Sequence, residues 1–251
     1  MIRARFQELE RRSDALLAAT SPIYVQDSDG EIESVGTGIF FRHQGQHFVL
    51  SAAHVLRRLR EEQLLIGSDH LIPMDGRFFA SPSDDVDLGF VPLSDAQVAQ
   101  LPGAVFLTAD HVDRSDDPEA RGDGRGYYAV GFRADDNAPE GTPTSVISRG
   151  SAYLAHAAPL NKYQPLGLSP KSHLLLTFNR RVLYSGVGTT ETEPEPQGLS
   201  GCGVWRFTPS ALSDRLVAML IEHSDGHKVV ISTRLGPLLD ALADHVSGVL
   251  I

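Results

Sequence analysis

The sequence predicts a mainly β protein with a helix at each end, and three observations predict it. Short runs rich in Val, Ile, Phe and Tyr recur from about Ile23 onward, among them IYVQ, VGTGIFFR, QHFVLSA, LLIG, DLGFVPL, YYAVGF, TSVISRG, HLLLTFN, GVWRF, LVAMLIEH and KVVIS. Gly, Pro, Asp and Asn, the residues that make tight turns, separate many of these runs. Helical spacing of apolar residues survives mainly at the start, in VLRRLREEQ just after His54, and in RLGPLLDALADHVSGVL at the end.

Taken in order, residues 2–19 place Ile2, Phe6, Leu9, Leu16 and Leu17 at rough helical spacing among Arg and Glu, which reads as an amphipathic helix packed on the body. The strand runs follow. Two segments read as exposed loops: residues 112–126, dense in Asp, Arg and Gly, and residues 185–197, rich in Thr, Glu and Pro. The triplet Arg121-Gly122-Asp123 in the first is a coincidence of a charged loop, and its acidic cluster lacks the regular ligand spacing of a calcium loop.

At 251 residues, with 41% hydrophobic and 22% charged residues, the chain can bury a sizeable core as one structural unit. Cys202 is the single cysteine, so no intramolecular disulfide forms, which favours a reducing compartment. The first twenty residues are broken by charges and lack the apolar core of a signal peptide, and no stretch has the apolar length of a membrane span. A soluble cytoplasmic protein is the expectation. A net charge of −10 argues against nucleic-acid and anionic-membrane partners, which call for basic surfaces.

Three segments can carry chemistry. In Gly198-Leu199-Ser200-Gly201 a serine stands between glycines, so it can occupy a sharp turn with its hydroxyl exposed and neighbouring N–H groups aimed the same way. The same string also fits a plain turn into GVWRF. In Phe48–His54 an apolar strand runs into Ser51-Ala52-Ala53 and then His54, which presents an imidazole at a core edge without crowding. Asp87 enters the apolar strand LGFVPL, where it can be shielded from solvent and accept a hydrogen bond from an imidazole N–H, while Asp84 and Asp85 face water. The chain order His54, Asp87, Ser200 on an all-β background is that of one of the three known Ser-His-Asp arrangements.

These residues, with VGTGIFFR, VLSAAHVL, DVDLGFVPL, YAVGF and GLSGCGVW in that order, resemble the trypsin-like (chymotrypsin-fold) serine peptidases, particularly their intracellular bacterial forms, over residues 23–235. The resemblance implies two six-stranded antiparallel β-barrels; with the loop at 112–126 taken as their junction, a first barrel half over 23–115 and a second over 116–251 with the C-terminal helix follow an N-terminal helical extension over 1–22, and both terminal helices lie outside the resemblance. It implies Ser200 as nucleophile, His54 as general base and then acid, Asp87 as the group that orients the imidazole, and the N–H groups of Gly198 and Ser200 as the oxyanion pair. It implies no metal or organic cofactor. The primary pocket would involve Pro194, Ile221, Glu222 and His223, and Pro194 supplies no charge that would select Arg or Lys.

The chain departs from the family pattern at two places. Leu199 stands where an acidic residue commonly precedes the serine, so the zymogen switch built on that acid should be absent, and Cys202-Gly203 replaces Gly-Pro after Ser200-Gly201. Cys202 reads as a small buried hydrophobe rather than a nucleophile. The function expected is a serine endopeptidase acting on a protein or peptide, gated by its loops or by a regulatory protein partner. The alternative is a catalytically silent trypsin-like domain that binds peptides or proteins; ester hydrolysis by the same triad is a third reading.

Overall fold

The computed structural model describes residues 12–67, 70–81, 83, 85–114, 126–137, 148–184, 188–190, 197–207 and 214–248. Residues 12–17 form the described part of an N-terminal helix, α1. It packs on the body as expected, with Leu17 against Gly150 and Arg12 donating to Asp214 at 3.0 Å.

The N-terminal sheet contains β1 (Thr20–Gln26), β2 (Ile32–His43), β3 (Gln46–Ala52), β4 (Gln63–Ile66), β5 (Ile72–Pro73), β6 (Phe79–Ala80) and β7 (Leu88–Leu93), ordered β5-β4-β1-β2-β3-β7-β6. All pairings are antiparallel. Local chemistry sets the hairpins. Gln44 and Gly45 carry φ of 47° and 83° between His43 and Gln46, the two-residue turn whose twist matches the flanking strands.

The C-terminal sheet contains β8 (Gly126–Phe132), β9 (Gly150–Ala157), β10 (His173–Tyr184), β11 (Gly188–Thr190), β12 (Gly203–Phe207), β13 (Arg215–Ser224) and β14 (Val229–Arg234), ordered β11-β10-β14-β13-β12-β8-β9. Because β9 also pairs with β10, six of these strands close into a barrel. The expected double-barrel, mainly β architecture is present, with one difference. Among the described residues the N-terminal sheet has seven strands and stays open, a half-barrel, because its edges β5 and β6 pair with two residues each and do not meet.

One buried cluster spans both sheets, joining Ile39, Phe48 and Leu50 to Trp205, Leu216 and Met219. A smaller one lies within the C-terminal sheet and includes Tyr153, Leu174, Leu199, Cys202 and Leu220.

The short helices fall where strands end. The helix expected over VLRRLREEQ stops early: α2 covers Ala53–Arg57, one tighter turn follows over Arg58–Arg60, and Gln63 already begins β4. The run LLIG becomes this strand as expected, pairing Ile66 and Leu64 with Ile23 and Val25. A further helix, α3 (Asp95–Ala99), is closed by a capping box between Ser94 and Gln97. The C-terminal helix α4 (Gly236–Val246) crosses back to the N-terminal sheet, where His245 packs edge-on or tilted against Phe48, Phe79 and Phe90 at centroid distances of 4.3–6.1 Å. No helix among the described residues is long and apolar enough to cross a membrane.

Candidate active site

His54 sits in the first turn of α2, directly after β3, with Ala52 and Ala53 fully buried beneath it. Those small residues leave its ring half-exposed, at 47% of the side chain. Asp87 stands one residue before β7 with its backbone at φ 39°, and β3–β7 pairing brings it beside α2. Its carbonyl accepts from Ala53 N–H at 2.9 Å, its Oδ1 from His54 N–H at 2.9 Å, and its Oδ2 lies 2.5 Å from His54 Nδ1. A carboxylate only accepts, so Nδ1 carries the imidazole proton and the neutral ring keeps its lone pair on Nε2. Arg57, one turn along α2, brings Nη1 to 3.9 Å from Asp87 Oδ1 and offsets part of its charge.

The loop that bears Asp87 is tied to the other sheet. His173, buried at the start of β10, lies with Nε2 2.7 Å from the Asp85 carbonyl, and its Nδ1 is 2.9 Å from Ser172 Oγ. The Asp85 side chain faces solvent as expected, and Asp84 lies outside the described residues.

Ser200 lies on the turn between β11 and β12, bracketed by Gly198 at φ 85° and Gly201 at φ 90°. Both glycines are required by conformation and by space. A Cβ on Gly198 would come within 2.3 Å of Ala134 N, and one on Gly201 within 2.1 Å of the Thr37 carbonyl. Leu199 turns inward and is fully buried, as is Cys202, whose Cβ occupies the space left by the missing side chain of Gly131. Burial pushes the Cys202 thiol far above its ordinary range, so the thiolate is suppressed. Gly131 thus leaves room for the Cys202 side chain beside the turn.

Each peptide of this turn is pinned. Ala134 N–H donates to the Gln197 carbonyl and Cys202 N–H to the Leu199 carbonyl, both at 2.9 Å. In a trans peptide the N–H points opposite the C=O. Pinning these two carbonyls therefore turns the N–H groups of Gly198 and Ser200 the other way, and among the described residues neither is taken up by a hydrogen bond. Such paired, unclaimed donors can receive a developing oxyanion.

His54, Asp87 and Ser200 line one open cavity of about 440 Å³ together with Gln197, Ile221, Glu222 and His223. Three of the expected pocket residues thus border it: Ile221 is buried, Glu222 is exposed, and His223 pairs with Asp225 at 3.2 Å. Pro194 lies outside the described residues. A bulge in β13 at Ile221, between the pairs Leu220↔Ser232 and Glu222↔Ile231, aims the Ile221 carbonyl at the serine. Ser200 Oγ donates to that carbonyl at 3.5 Å, and among the described residues it makes no bond to His54.

Sequence reasoning did not single out Thr37, Arg57, Ala134, His173 or Gln197. Only Thr37 carries a signal, a threonine flanked by Gly36 and Gly38 within the run VGTGIFFR.

No protein-family model matches the chain, and no curated protein matches it. Many solved structures overlap it, two among them as follows. One, concerned with aromatic interactions that drive coupled folding and binding of the intrinsically disordered Sesbania mosaic virus VPg protein, aligns with a TM-score of 0.50 and 13% identity over 87% of this chain and 86% of that chain. The other, the crystal structure of the serine protease domain of the Sesbania mosaic virus polyprotein, aligns with a TM-score of 0.48 and 11% identity over 87% and 88%. The first overlap shows a shared fold and says nothing of chemistry; the second is too loose to carry an argument.

Proposed function

We propose that the chain is a serine hydrolase of the trypsin-like kind, an endopeptidase that works through an acyl-enzyme on Ser200. The observation that carries this reading is the Asp87–His54 hydrogen bond of 2.5 Å on the cavity that Ser200 also lines, with the N–H groups of Gly198 and Ser200 unclaimed among the described residues. In the reaction, Nε2 of His54 takes the Ser200 hydroxyl proton as Oγ bonds to the substrate carbonyl carbon. Asp87 stabilises the imidazolium, and the Gly198 and Ser200 N–H groups receive the negative oxygen of the tetrahedral intermediate. The imidazolium then protonates the leaving amine, the C–N bond breaks, and water, deprotonated by His54, releases the acyl group from Oγ. The substrate is a protein or peptide whose chain reaches Ile221, Glu222 and His223; Pro194 would border the same pocket.

A second reading, a silent module that binds peptides without cleaving them, is favoured by one observation: Ser200 Oγ is directed at the Ile221 carbonyl rather than at His54. Both side chains line the same cavity, and catalytic hydrogen bonds are often loose before substrate binds.

Labelling with a fluorophosphonate probe, read by intact mass, decides between them. Wild type should gain one probe mass, and Ser200→Ala and His54→Ala none. Turnover of a peptide or ester substrate should fall on the order of 10⁶-fold in Ser200→Ala, the scale of removing a triad serine. A folded wild type that takes up no probe, alone or with candidate regulatory partners added, would mean the binding-module reading.

A further inference from the structure

We propose that Thr37 is a positioning residue, whose buried hydroxyl latches the N-terminal sheet to the Ser200 turn and holds the Gly198 and Ser200 N–H groups toward the cavity. This rests on the serine-hydrolase reading above.

Thr37 lies in the middle of β2 with no solvent exposure, and all its polar groups are used. Its N–H donates to the Ser200 carbonyl at 2.8 Å, and its carbonyl accepts from Ser51 Oγ at 2.8 Å. Its Oγ1 donates to the Gly198 carbonyl at 3.1 Å while accepting from Phe132 N–H at 3.0 Å. A hydroxyl has one proton to give and lone pairs to receive, so both bonds form at once. One side chain thereby joins β2, the end of β8 and the serine turn.

The surrounding residues are shaped for this approach. A Cβ on Gly36 would meet the Ser200 carbonyl at 3.1 Å and Val55 at 2.9 Å, and one on Gly131 would meet Thr37 Oγ1 at 2.9 Å. Glycines at both positions let the turn and β8 close on Thr37.

The consequence lies in how the peptides of the turn alternate. The Gln197 and Leu199 carbonyls are held by Ala134 and Cys202, and those two peptides carry the Gly198 and Ser200 N–H groups. The peptide between them, Gly198–Leu199, is held by Thr37 Oγ1. Glycine rotates freely at low cost, so without that bond Gly198 is the place where the turn would swivel. Removing the hydroxyl also strands a Gly198 carbonyl and a Phe132 N–H, and the swivel is the route by which the carbonyl regains a partner. The valine isostere lacks both bonds; serine retains both.

The experiment compares wild type, Thr37→Val and Thr37→Ser of the full chain by two readouts. The first is amide exchange at Ala134 and Cys202, whose N–H groups pin the donor-bearing peptides. The second is the rate and half-saturating concentration of fluorophosphonate acylation. Thr37→Val should exchange at least tenfold faster at both amides and acylate on the order of 10²-fold more slowly at saturation, the scale of losing one oxyanion donor, with the half-saturating concentration unchanged. Thr37→Ser should restore both within about threefold of wild type, since its hydroxyl makes the same bonds. Should Thr37→Val not fold, Thr37→Ala, which removes the same hydroxyl, takes its place.

Wild-type acylation rate in the valine variant, or serine as impaired as valine, would overturn the positioning role while leaving the hydrolase reading intact. A wild type that takes up no probe would overturn the hydrolase reading and the role built on it together.

Discussion

Asp87 holds its backbone at φ 39°, a left-handed conformation that few residues other than glycine, asparagine and aspartate adopt readily. The strain persists because four contacts over-determine the residue. Its carbonyl, both carboxylate oxygens and its own N–H, which donates to Ser83 at 3.3 Å, are all engaged. This makes Asp87→Asn an informative substitution. Asparagine tolerates the same backbone, so the fold should survive, with a thermal midpoint within a few degrees of wild type. The amide can, however, donate to Nδ1, which places the imidazole proton on Nε2 and removes the lone pair needed to take the serine proton. Acylation should then fall on the order of 10⁴-fold, the scale of a triad aspartate changed to asparagine. A folded variant that acylates at the wild-type rate would deny Asp87 its proposed role.

At the scale of elements, the site depends on where strands end rather than on what they contain. His54 begins α2 immediately after β3, Asp87 ends the loop before β7, and β3 and β7 pair from Ala52↔Leu88 to His47↔Leu93, so the two side chains meet at one end of a ladder. The opposite end of β7 runs into α3, which is too short to persist alone and is held by its capping box. Ser94 Oγ accepts from Gln97 N–H at 3.3 Å, the Gln97 side chain accepts from Ser94 N–H at 2.8 Å, and Gln97 Nε2 reaches the Pro73 carbonyl at 2.9 Å. Ser94→Ala should therefore cost about 1 kcal/mol in urea unfolding, the usual cost of losing an N-cap. It should leave probe labelling unchanged, because α3 lies at the far end of β7 from Asp87.

For the whole molecule, the two sheets share their largest buried cluster, and the serine turn is bonded to both. Further ties hold the connection between the sheets, and the loop before β7, to the C-terminal sheet. Asp113 N–H donates to the Leu216 carbonyl at 2.9 Å, Arg206 pairs with Asp113, and His173 reaches the Asp85 carbonyl. Neither sheet can unfold without exposing the other's core, so equilibrium unfolding should be one cooperative transition. Trp205, the single tryptophan, lies in β12 of the C-terminal sheet, whereas far-ultraviolet dichroism reports every strand. The two probes should give coincident urea curves; separate midpoints would mean that the sheets unfold independently.

Much of this molecule was legible in its sequence, because the relevant signals are local. Short apolar runs bounded by turn residues marked β1, β2, β3, β4, β7, β8, β10, β12, β13 and β14, and glycines around Ser200 marked a turn whose backbone no other residue fits. Ser51-Ala52-Ala53 before His54 and Asp87 before an apolar strand pointed at side chains that do meet. Other features were invisible for a physical reason. The alanine-rich SAYLAHA lacks a strand signature and becomes β9 only because β8 and β10 pair with its two edges. The two-residue strands β5 and β6 exist only through their partners. Thr37, Ala134 and His173 act through hydrogen bonds that span about 60 to 160 positions. Sequence thus determines which backbone conformations each segment can take. Which distant carbonyl meets which donor, and hence which way the N–H groups beside Ser200 face, is decided only when the two sheets close on one another.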